Sequence, residues 1–193
     1  MFVTPSASSR RSIAWSRPWL ICLDLQREYV VPGRPLYDEA ASAVTDACAR
    51  VMRRARREGW RIVHTQLRRS VGLFAAEGRF GAPIAGLRPL ISEPVYLRQG
   101  LSAFSNADFA QEMREARGEK VFLIGFSMSD TALATALACV DLGLDLVLVE
   151  DALGSGPNHR AAAEIARDIL EPYVEFTSTR ELLKGTSVVE YAQ

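Results

Sequence analysis

The sequence predicts an α/β fold in which six parallel strands form one sheet covered by helices on both faces, a three-layer sandwich. Two observations predict it. Short runs of β-branched and leucine-rich residues alternate along the chain with segments whose apolar residues recur every three to four positions. The short runs are apolar almost throughout and do not alternate with polar residues, which is typical of parallel strands buried on both faces.

Length and charge narrow the class of protein. A chain of 193 residues is long enough for one α/β domain and too short for two of ordinary size. We therefore expect one domain over residues 19–193, preceded by a mobile Ser/Arg-rich tail, residues 1–18. With 23 basic and 23 acidic side chains the formal net charge is zero, which disfavours nucleic-acid and anionic-membrane partners. No apolar run reaches the roughly 20 residues of a membrane span, and the tail lacks a signal peptide's apolar stretch, so we expect a cytoplasmic protein.

The first half of the chain is predicted to hold three strands and one long helix. The apolar run 19–25 is the first strand, and residues 38–58 have the apolar spacing of a helix. Its opposite face carries a cluster of arginines, which we interpret as a solvated surface because the net charge is zero. Residues 61–66 are the second strand. A connection of about 28 residues then precedes the short strand 95–97, and a connection of that length is often functional.

The second half continues the alternation. Helices are predicted over residues 106–117, 129–142 and 159–171, and strands over residues 120–124, 145–150 and 174–177. The helix over residues 129–142 is almost wholly apolar, so we expect it to be buried on most sides. The cysteines, Cys22, Cys48 and Cys139, are odd in number and lie in apolar elements, which favours buried thiols over disulfides.

Chemistry is expected where the strand order of the sheet reverses. In an open parallel sheet, ligands bind at the carboxyl ends of the strands on either side of that point. The first strand ends at Asp24, and the fourth ends at Gly125, before a serine-containing turn that leads into the apolar helix. If the sheet is wound in the usual two halves, these strands are neighbours and Asp24 lies close to the turn over residues 126–131.

That turn carries a family resemblance. Residues 123–132, Leu-Ile-Gly-Phe-Ser-Met-Ser-Asp-Thr-Ala, resemble the nucleophile turn of the isochorismatase-like cysteine hydrolases. Three further segments resemble the same superfamily: Leu-Asp-Leu-Gln at residues 23–26, Leu-Arg-Gln-Gly-Leu-Ser-Ala-Phe at residues 97–104, and Glu-Asp-Ala at residues 150–152 with His159 downstream. Because four motifs occur in the right order on the right elements, the chain is identified as a member of this superfamily, with its Rossmann-like topology.

The resemblance implies a catalytic triad at Asp24, Arg98 and Thr131. In the family, the aspartate is the general acid–base, a lysine stands at the position of Arg98, and the nucleophilic cysteine stands at the position of Thr131. Two triad positions therefore depart from the pattern, so the triad is degenerate. A threonine hydroxyl has a far higher pKa than a cysteine thiol and is poorly activated by a carboxylate and a cation. Arg98 keeps the positive charge but does not exchange a proton near neutral pH.

The resemblance implies further features of the pocket. Substrate contacts are expected from Gln26, Phe104, Phe126, Ser127 and Asp130. The peptide bond between Phe126 and Ser127 is expected to be cis, and the backbone N–H groups of Asp130 and Thr131 are expected to point into the pocket and bind an oxyanion. A homodimer or larger homo-oligomer is expected too, because the long connection and the apolar helix supply more apolar surface than one small domain covers.

No cofactor or metal is expected. The nicotinamidase branch has an Asp/His cluster after its second strand, whereas this chain has one histidine there, His64. On an apolar strand His64 is expected to be a core residue, and His159 is too distant in sequence for a zinc-binding pair. The sequence also lacks the glycine-rich motifs that bind phosphate.

Three interpretations of function remain open. In the first, the chain is a hydrolase without a covalent nucleophile: some isochorismatases of this superfamily lack the cysteine and protonate a vinyl ether with the aspartate. Asp24 does this if burial raises its pKa, while Arg98 binds a substrate carboxylate bidentately. In the second, the chain is an inactive homologue that binds a small molecule or a partner. In the third, it is a slow amidase that uses Thr131. The same three side chains could also be structural, as turn or helix caps.

Overall fold

One parallel sheet organises the chain. The computed structural model describes residues 17–69, 79–155 and 159–184, so most of the predicted tail lies outside the described residues. The strands are β1 (Trp19–Leu23), β2 (Arg61–Leu67), β3 (Val95–Arg98), β4 (Lys120–Phe126), β5 (Asp145–Gly154) and β6 (Glu175–Thr177). They pair in parallel in the order β3-β2-β1-β4-β5-β6. The predicted fold class is confirmed, and β1 and β4 are the adjacent central strands.

Helices cover both faces of this sheet. In the described residues they are α1 (Ala41–Glu58), α2 (Ala107–Glu112), α3 (Leu133–Asp141), α4 (Arg160–Leu170) and α5 (Thr179–Lys184). β1 shows why its sequence does not alternate. Leu20 and Cys22 pack into the core that includes the buried face of α1, whereas Trp19, Ile21 and Leu23 pack into the core on the other face, with residues of α2, α3 and α4. Every residue of β1 is therefore buried.

Three predicted helices differ in detail. The first begins at Ala41 instead of residue 38, because the Asp38 carboxylate accepts a hydrogen bond from the Ala40 N–H at 2.8 Å and lies before the helix. The second divides into α2 and a 3₁₀ turn, Met113–Ala116. The third begins with a π-helical turn, Met128–Ala132, before α3.

The apolar helix α3 is less buried than predicted. It buries Thr135, Ala136 and Cys139, but Leu137 on its other side is 38% exposed. Burial on most sides is therefore wrong for this part of the helix, which has one buried face. The cysteines are buried free thiols, as predicted. Among the described residues, none of the helices is both long and apolar enough to cross a bilayer.

The central strands approach each other most closely at Gly125. Its φ of 127° is one that side chains rarely adopt, and a Cβ built there would lie 1.8 Å from the carbonyl oxygen of Leu23. Only glycine fits between the end of β1 and the end of β4. The two strand ends are thereby brought together at the carboxyl edge of the sheet, where the strand order reverses.

Candidate active site

Asp24 follows β1 directly and is fully buried. Its φ of 48° lies in the left-handed region, which aspartate adopts more readily than most residues, and this turns the carboxylate toward β2 and β3. Oδ1 accepts a hydrogen bond from the Leu67 N–H at 2.8 Å, and Oδ2 accepts one from Nη2 of Arg98 at 2.6 Å. Asp24 therefore links the carboxyl ends of three neighbouring strands.

Arg98 is the last residue of β3, and its side chain reaches across β2 to Asp24. Both side chains of this ion pair are completely shielded from solvent. Nη1 donates to the carbonyl oxygen of Gly100 at 3.1 Å, and Nε has no hydrogen-bond partner among the described residues. The guanidinium is thus held in place by two bonds, with one buried donor left over.

Burial makes Asp24 an unusually weak acid. It raises the pKa of Asp24 to about 6, although the charge and hydrogen bond of Arg98, the Leu67 N–H and the nearby Thr131 hydroxyl each lower it. Near neutral pH the carboxylate is largely ionised and paired, but its protonated form is accessible in mildly acidic solution. A carboxyl group with this pKa can both give and take a proton close to physiological pH.

Thr131 lies in the π-helical turn after β4 and holds that turn together. Its hydroxyl donates to the carbonyl oxygen of Phe126 at 2.8 Å and accepts from the Ser127 N–H at 2.8 Å. The Phe126–Ser127 bond between these two groups is cis, as expected. The hydroxyl has one proton, so the Phe126 carbonyl oxygen competes for it with the Asp24 carboxylate, whose pKa the same hydroxyl lowers.

The expected oxyanion site is occupied by the protein itself. The side chain of Asp130 accepts the Thr131 N–H, and the Asp130 N–H faces the carbonyl oxygen of Ser127 at 3.4 Å. The expectation that both N–H groups are free to bind an oxyanion is therefore wrong for this conformation. An oxyanion would have to displace the Asp130 carboxylate, which repels it because both groups are negatively charged.

Gln26, Ser127 and Asp130 lie at this centre, whereas Phe104 has no hydrogen bond or ring contact with it in the described part of the chain. Gln26 is buried and engages its whole amide: it donates to the carbonyl oxygens of Leu67 and Gly81 at 3.0 and 2.8 Å, and it accepts from the Leu67 N–H at 3.0 Å. Ser127 is 3% exposed and Asp130 is half-buried, both on the turn. Phe104 is half-buried against Phe109.

Phe126 is a fully buried core residue. Its ring stacks on that of Tyr29, with the ring centroids 4.8 Å apart and the planes 9° apart. A Cβ at Gly154 would lie 2.2 Å from the Phe126 ring. Only glycine therefore fits at the end of β5, where the strand runs past this ring. The Phe126 side chain is therefore shielded, and its expected contact with substrate is not available in this conformation.

Sequence reasoning missed two residues at this edge. Burial raises the pKa of Tyr29, and the charges of Asp24 and Asp130 raise it further, which places the phenol in the surroundings of both carboxylates. No periodicity in the sequence singles out this tyrosine. Arg68 follows β2 directly, and its N–H donates to the carbonyl oxygen of Arg98 at 2.8 Å. A charge immediately after an apolar strand at the functional edge was a usable signal for Arg68.

The remaining candidates lie elsewhere. His64 is a core residue, as predicted: its Nε2 lies 3.0 Å from the Glu93 carboxylate, which also binds Arg56. His159 precedes α4 and is half-buried. Lys120, one of the two lysines in the sequence, lies at the amino edge of the sheet and pairs with Asp145 and Glu175, so it does not take the place of the family's lysine at Arg98. None of the cysteines is among the contacts of Asp24 or Arg98 in the described residues, and the Cys48 thiol donates to the carbonyl oxygen of Ala152.

Comparisons with known proteins show the family and the fold. The family model described as the isochorismatase domain matches residues 18–181. A maleamate amidohydrolase from Pseudomonas putida is 27% identical over 154 residues, which cover 72% of this chain and 72% of that protein. The crystal structure of an isochorismatase from Pseudomonas putida has a TM-score of 0.72 at 25% identity and covers 86% of this chain and 90% of that one. An isochorismatase family protein from Desulfovibrio vulgaris has a TM-score of 0.79 at 21% identity, over 90% of this chain and 100% of that one.

Proposed function

Because the chain belongs to the isochorismatase family, we propose that it is a hydrolase whose Asp24 acts as general acid–base on a small carboxylate-bearing metabolite, without a cysteine nucleophile. One observation carries the proposal. Asp24 is fully buried at the point where the strand order reverses, is held by Arg98 and the Leu67 N–H, and has a pKa of about 6. A carboxyl group kept near the middle of the pH scale is what proton transfer requires.

For a vinyl ether the chemistry is as follows. Protonated Asp24 gives its proton to the terminal carbon of the double bond, which leaves an oxocarbenium ion. Water adds to that ion and loses a proton, which returns to the Asp24 carboxylate, and the resulting hemiketal breaks down to a ketone and an alcohol. Arg98 stabilises the carboxylate between these steps through the bond at 2.6 Å. No covalent bond to the protein is needed.

Arg98 is a poorer anchor for the substrate than the sequence suggested. Nη1 and Nη2 already donate to Gly100 and Asp24, so a bidentate grip on a substrate carboxylate would have to share or replace one of those bonds. An anion close to Arg98 would, however, offset the charge that lowers the pKa of Asp24. Substrate binding would then favour the protonated, acidic form of Asp24.

Two other functions have support from specific observations. The relative named maleamate amidohydrolase favours an amidase, here a slow one that uses Thr131. Two features disfavour it: the Phe126 carbonyl oxygen competes with Asp24 for the Thr131 proton, and the Asp130 side chain occupies the oxyanion position. The complete pairing of the buried Asp24 and Thr131 favours an inactive homologue that binds a small molecule or partner, because a purely structural network has the same appearance.

The test measures turnover of isochorismate and maleamate by the wild type, Asp24→Asn and Thr131→Ala. General acid–base catalysis contributes about 10²–10⁴ in rate, so Asp24→Asn should lose about that factor on the vinyl ether. Thr131→Ala should keep most of the activity, because its hydroxyl forms no covalent bond. Loss of maleamate hydrolysis in both variants, with an acyl group on Thr131 seen by mass spectrometry, would show the amidase instead. Absence of turnover in the wild type would favour the inactive homologue.

A control separates chemistry from folding. Asp24→Asn leaves the Arg98 guanidinium buried without its counter-ion, which can destabilise the protein by about 3–5 kcal/mol. The double variant Asp24→Asn, Arg98→Met removes both charges together and leaves no unpaired ion. If circular dichroism shows that the single and the double variant are both folded, and both lack activity, the loss reflects the missing proton donor.

A further inference from the structure

Arg68 is a cation at the carboxyl edge of the sheet, and the described residues hold no counter-ion for it. It follows β2 at the carboxyl end and is exposed. Within residues 17–69, 79–155 and 159–184 its side chain has no hydrogen bond, ion pair or ring contact, whereas Arg34, Arg56, Arg98 and Arg167 are all paired with carboxylates. An unpaired guanidinium beside a buried ion pair is available for an anion.

The same arginine lines a cavity. A cavity of about 460 Å³ lies beside the end of β3, lined by Arg68, Arg98, Gln99, Ser105 and Asn106 among others, with no carboxylate among the described lining residues. Arg98 belongs both to this wall and to the ion pair with Asp24. The Arg98 side chain is completely shielded from solvent, so Arg68 is the guanidinium that an anion in the cavity would meet.

We propose that this cavity is a carboxylate-binding subsite in which Arg68 binds the anion and determines specificity for carboxylate-bearing ligands. A guanidinium presents two parallel N–H donors that match the two oxygens of a carboxylate. The Asp24 and Arg98 charges largely cancel, so Arg68 supplies the net positive charge of the cavity wall. The assignment of this anion to the substrate rests on the proposed function, whereas the binding itself does not.

The experiment titrates the full chain with maleate, the dicarboxylate that maleamate hydrolysis releases, by isothermal calorimetry at fixed ionic strength. The wild type should show saturable binding of one maleate per chain. Arg68→Ala should weaken it about tenfold or more, since a bond to a charged group is lost. Arg68→Lys should fall between the two, because it keeps the charge and loses the planar fork. Arg53→Ala, which removes an exposed arginine on the far surface of α1, should leave the affinity unchanged.

Two results would overturn the inference: no saturable binding by the folded wild type, or an Arg68→Ala affinity within twofold of the wild type. An equal loss in Arg53→Ala would show an effect of overall charge and overturn it too. Turnover is measured separately. A wild type that binds maleate through Arg68 but hydrolyses neither isochorismate nor maleamate favours the inactive homologue over the proposed hydrolase and leaves the subsite supported. In an active enzyme, Arg68→Ala should raise KM for a carboxylate-bearing substrate with little change in kcat.

Discussion

Asp24 combines two opposing influences in one side chain. Complete burial raises its pKa, and Arg98 and the Leu67 N–H lower it, leaving a pKa of about 6. Each influence depends on a neighbour from another strand. The backbone of Asp24 is in the left-handed region, and in this conformation its carboxylate bonds to Arg98 and to the Leu67 N–H. The pKa of Asp24 therefore depends on its backbone conformation as well as on its neighbours.

The pH dependence of turnover follows from this pKa. If Asp24 donates a proton, kcat/KM for a vinyl ether should be highest below pH 6 and fall about tenfold for each pH unit above it, because the protonated fraction falls in that way. A pH–rate profile measures this. A rate that rises through pH 6 would instead assign Asp24 the role of a general base. Thr131→Ala should give a profile of the same shape with its midpoint at higher pH, because the hydroxyl that it removes lowers the pKa of Asp24.

The close approach of β1 and β4 depends on Gly125. Gly125→Ala should destabilise the protein by about 4 kcal/mol or more, because the new methyl group would overlap the carbonyl of Leu23 in addition to the strain of φ 127°. Urea unfolding measures the change. Gly59→Ala is the matched control: its φ of 68° is also strained, but a Cβ there meets nothing within 4 Å. It should cost only about 1–2 kcal/mol, and equal costs at the two positions would contradict the steric argument.

Glu93 joins α1, β2 and the start of β3 at the other end of the sheet. Burial would raise its pKa, but hydrogen bonds from His64, Arg56 and the Leu90 N–H outweigh burial and hold the pKa of Glu93 well below its usual range. A carboxyl group whose pKa is lower in the folded state stabilises the fold above its unfolded pKa, and this stabilisation is lost as pH falls.

Glu93→Gln should therefore reduce the free energy of unfolding by about 2 kcal/mol at pH 7, since bonds between charged groups become neutral. It should also flatten the loss of stability in acid below about pH 4.5, the unfolded pKa. Urea unfolding at several pH values tests both. Glu115→Gln is the control, because Glu115 forms an exposed pair with Arg61 and should have little effect. An unchanged acid dependence in Glu93→Gln would contradict the prediction.

At the scale of the whole molecule, self-association remains a prediction. Exposed apolar side chains occur at Ile165 and Ile169 of α4, at Tyr173 after it, and at Leu137 of α3. Burying such groups against a second copy would remove apolar surface from water. Light scattering at micromolar concentration should give a mass of at least twice the 21.3 kDa of one chain. A monomer would reject the prediction, and Ile169→Asp should shift a dimer toward monomer if this surface is the interface.

The sequence alone determined the sheet, its parallel strands and the nearness of Asp24 to the turn after β4. Continuous apolar runs such as that of β1 are a local property that requires burial on both faces, so fold class followed from them. Asp24 and Thr131 were predicted to be close because strand ends meet where the order reverses, and the structure places them so. The π-helical start of the turn after β4 was not predicted, because apolar spacing does not distinguish it from an α-helix.

Only the tertiary structure decided how each functional group is used. Whether Arg98 binds Asp24 or a ligand, and whether the Thr131 proton faces a base or a carbonyl oxygen, depends on distances between residues far apart in the chain. The pKa of Asp24 likewise arises from burial by residues of other strands. The sequence shows Arg68 as a charge after an apolar strand, but that the described residues offer it no partner is known only from its neighbours in space. The pattern of apolar residues is a local property of the sequence, whereas the pairing of charged groups and their desolvation exist only in the folded chain.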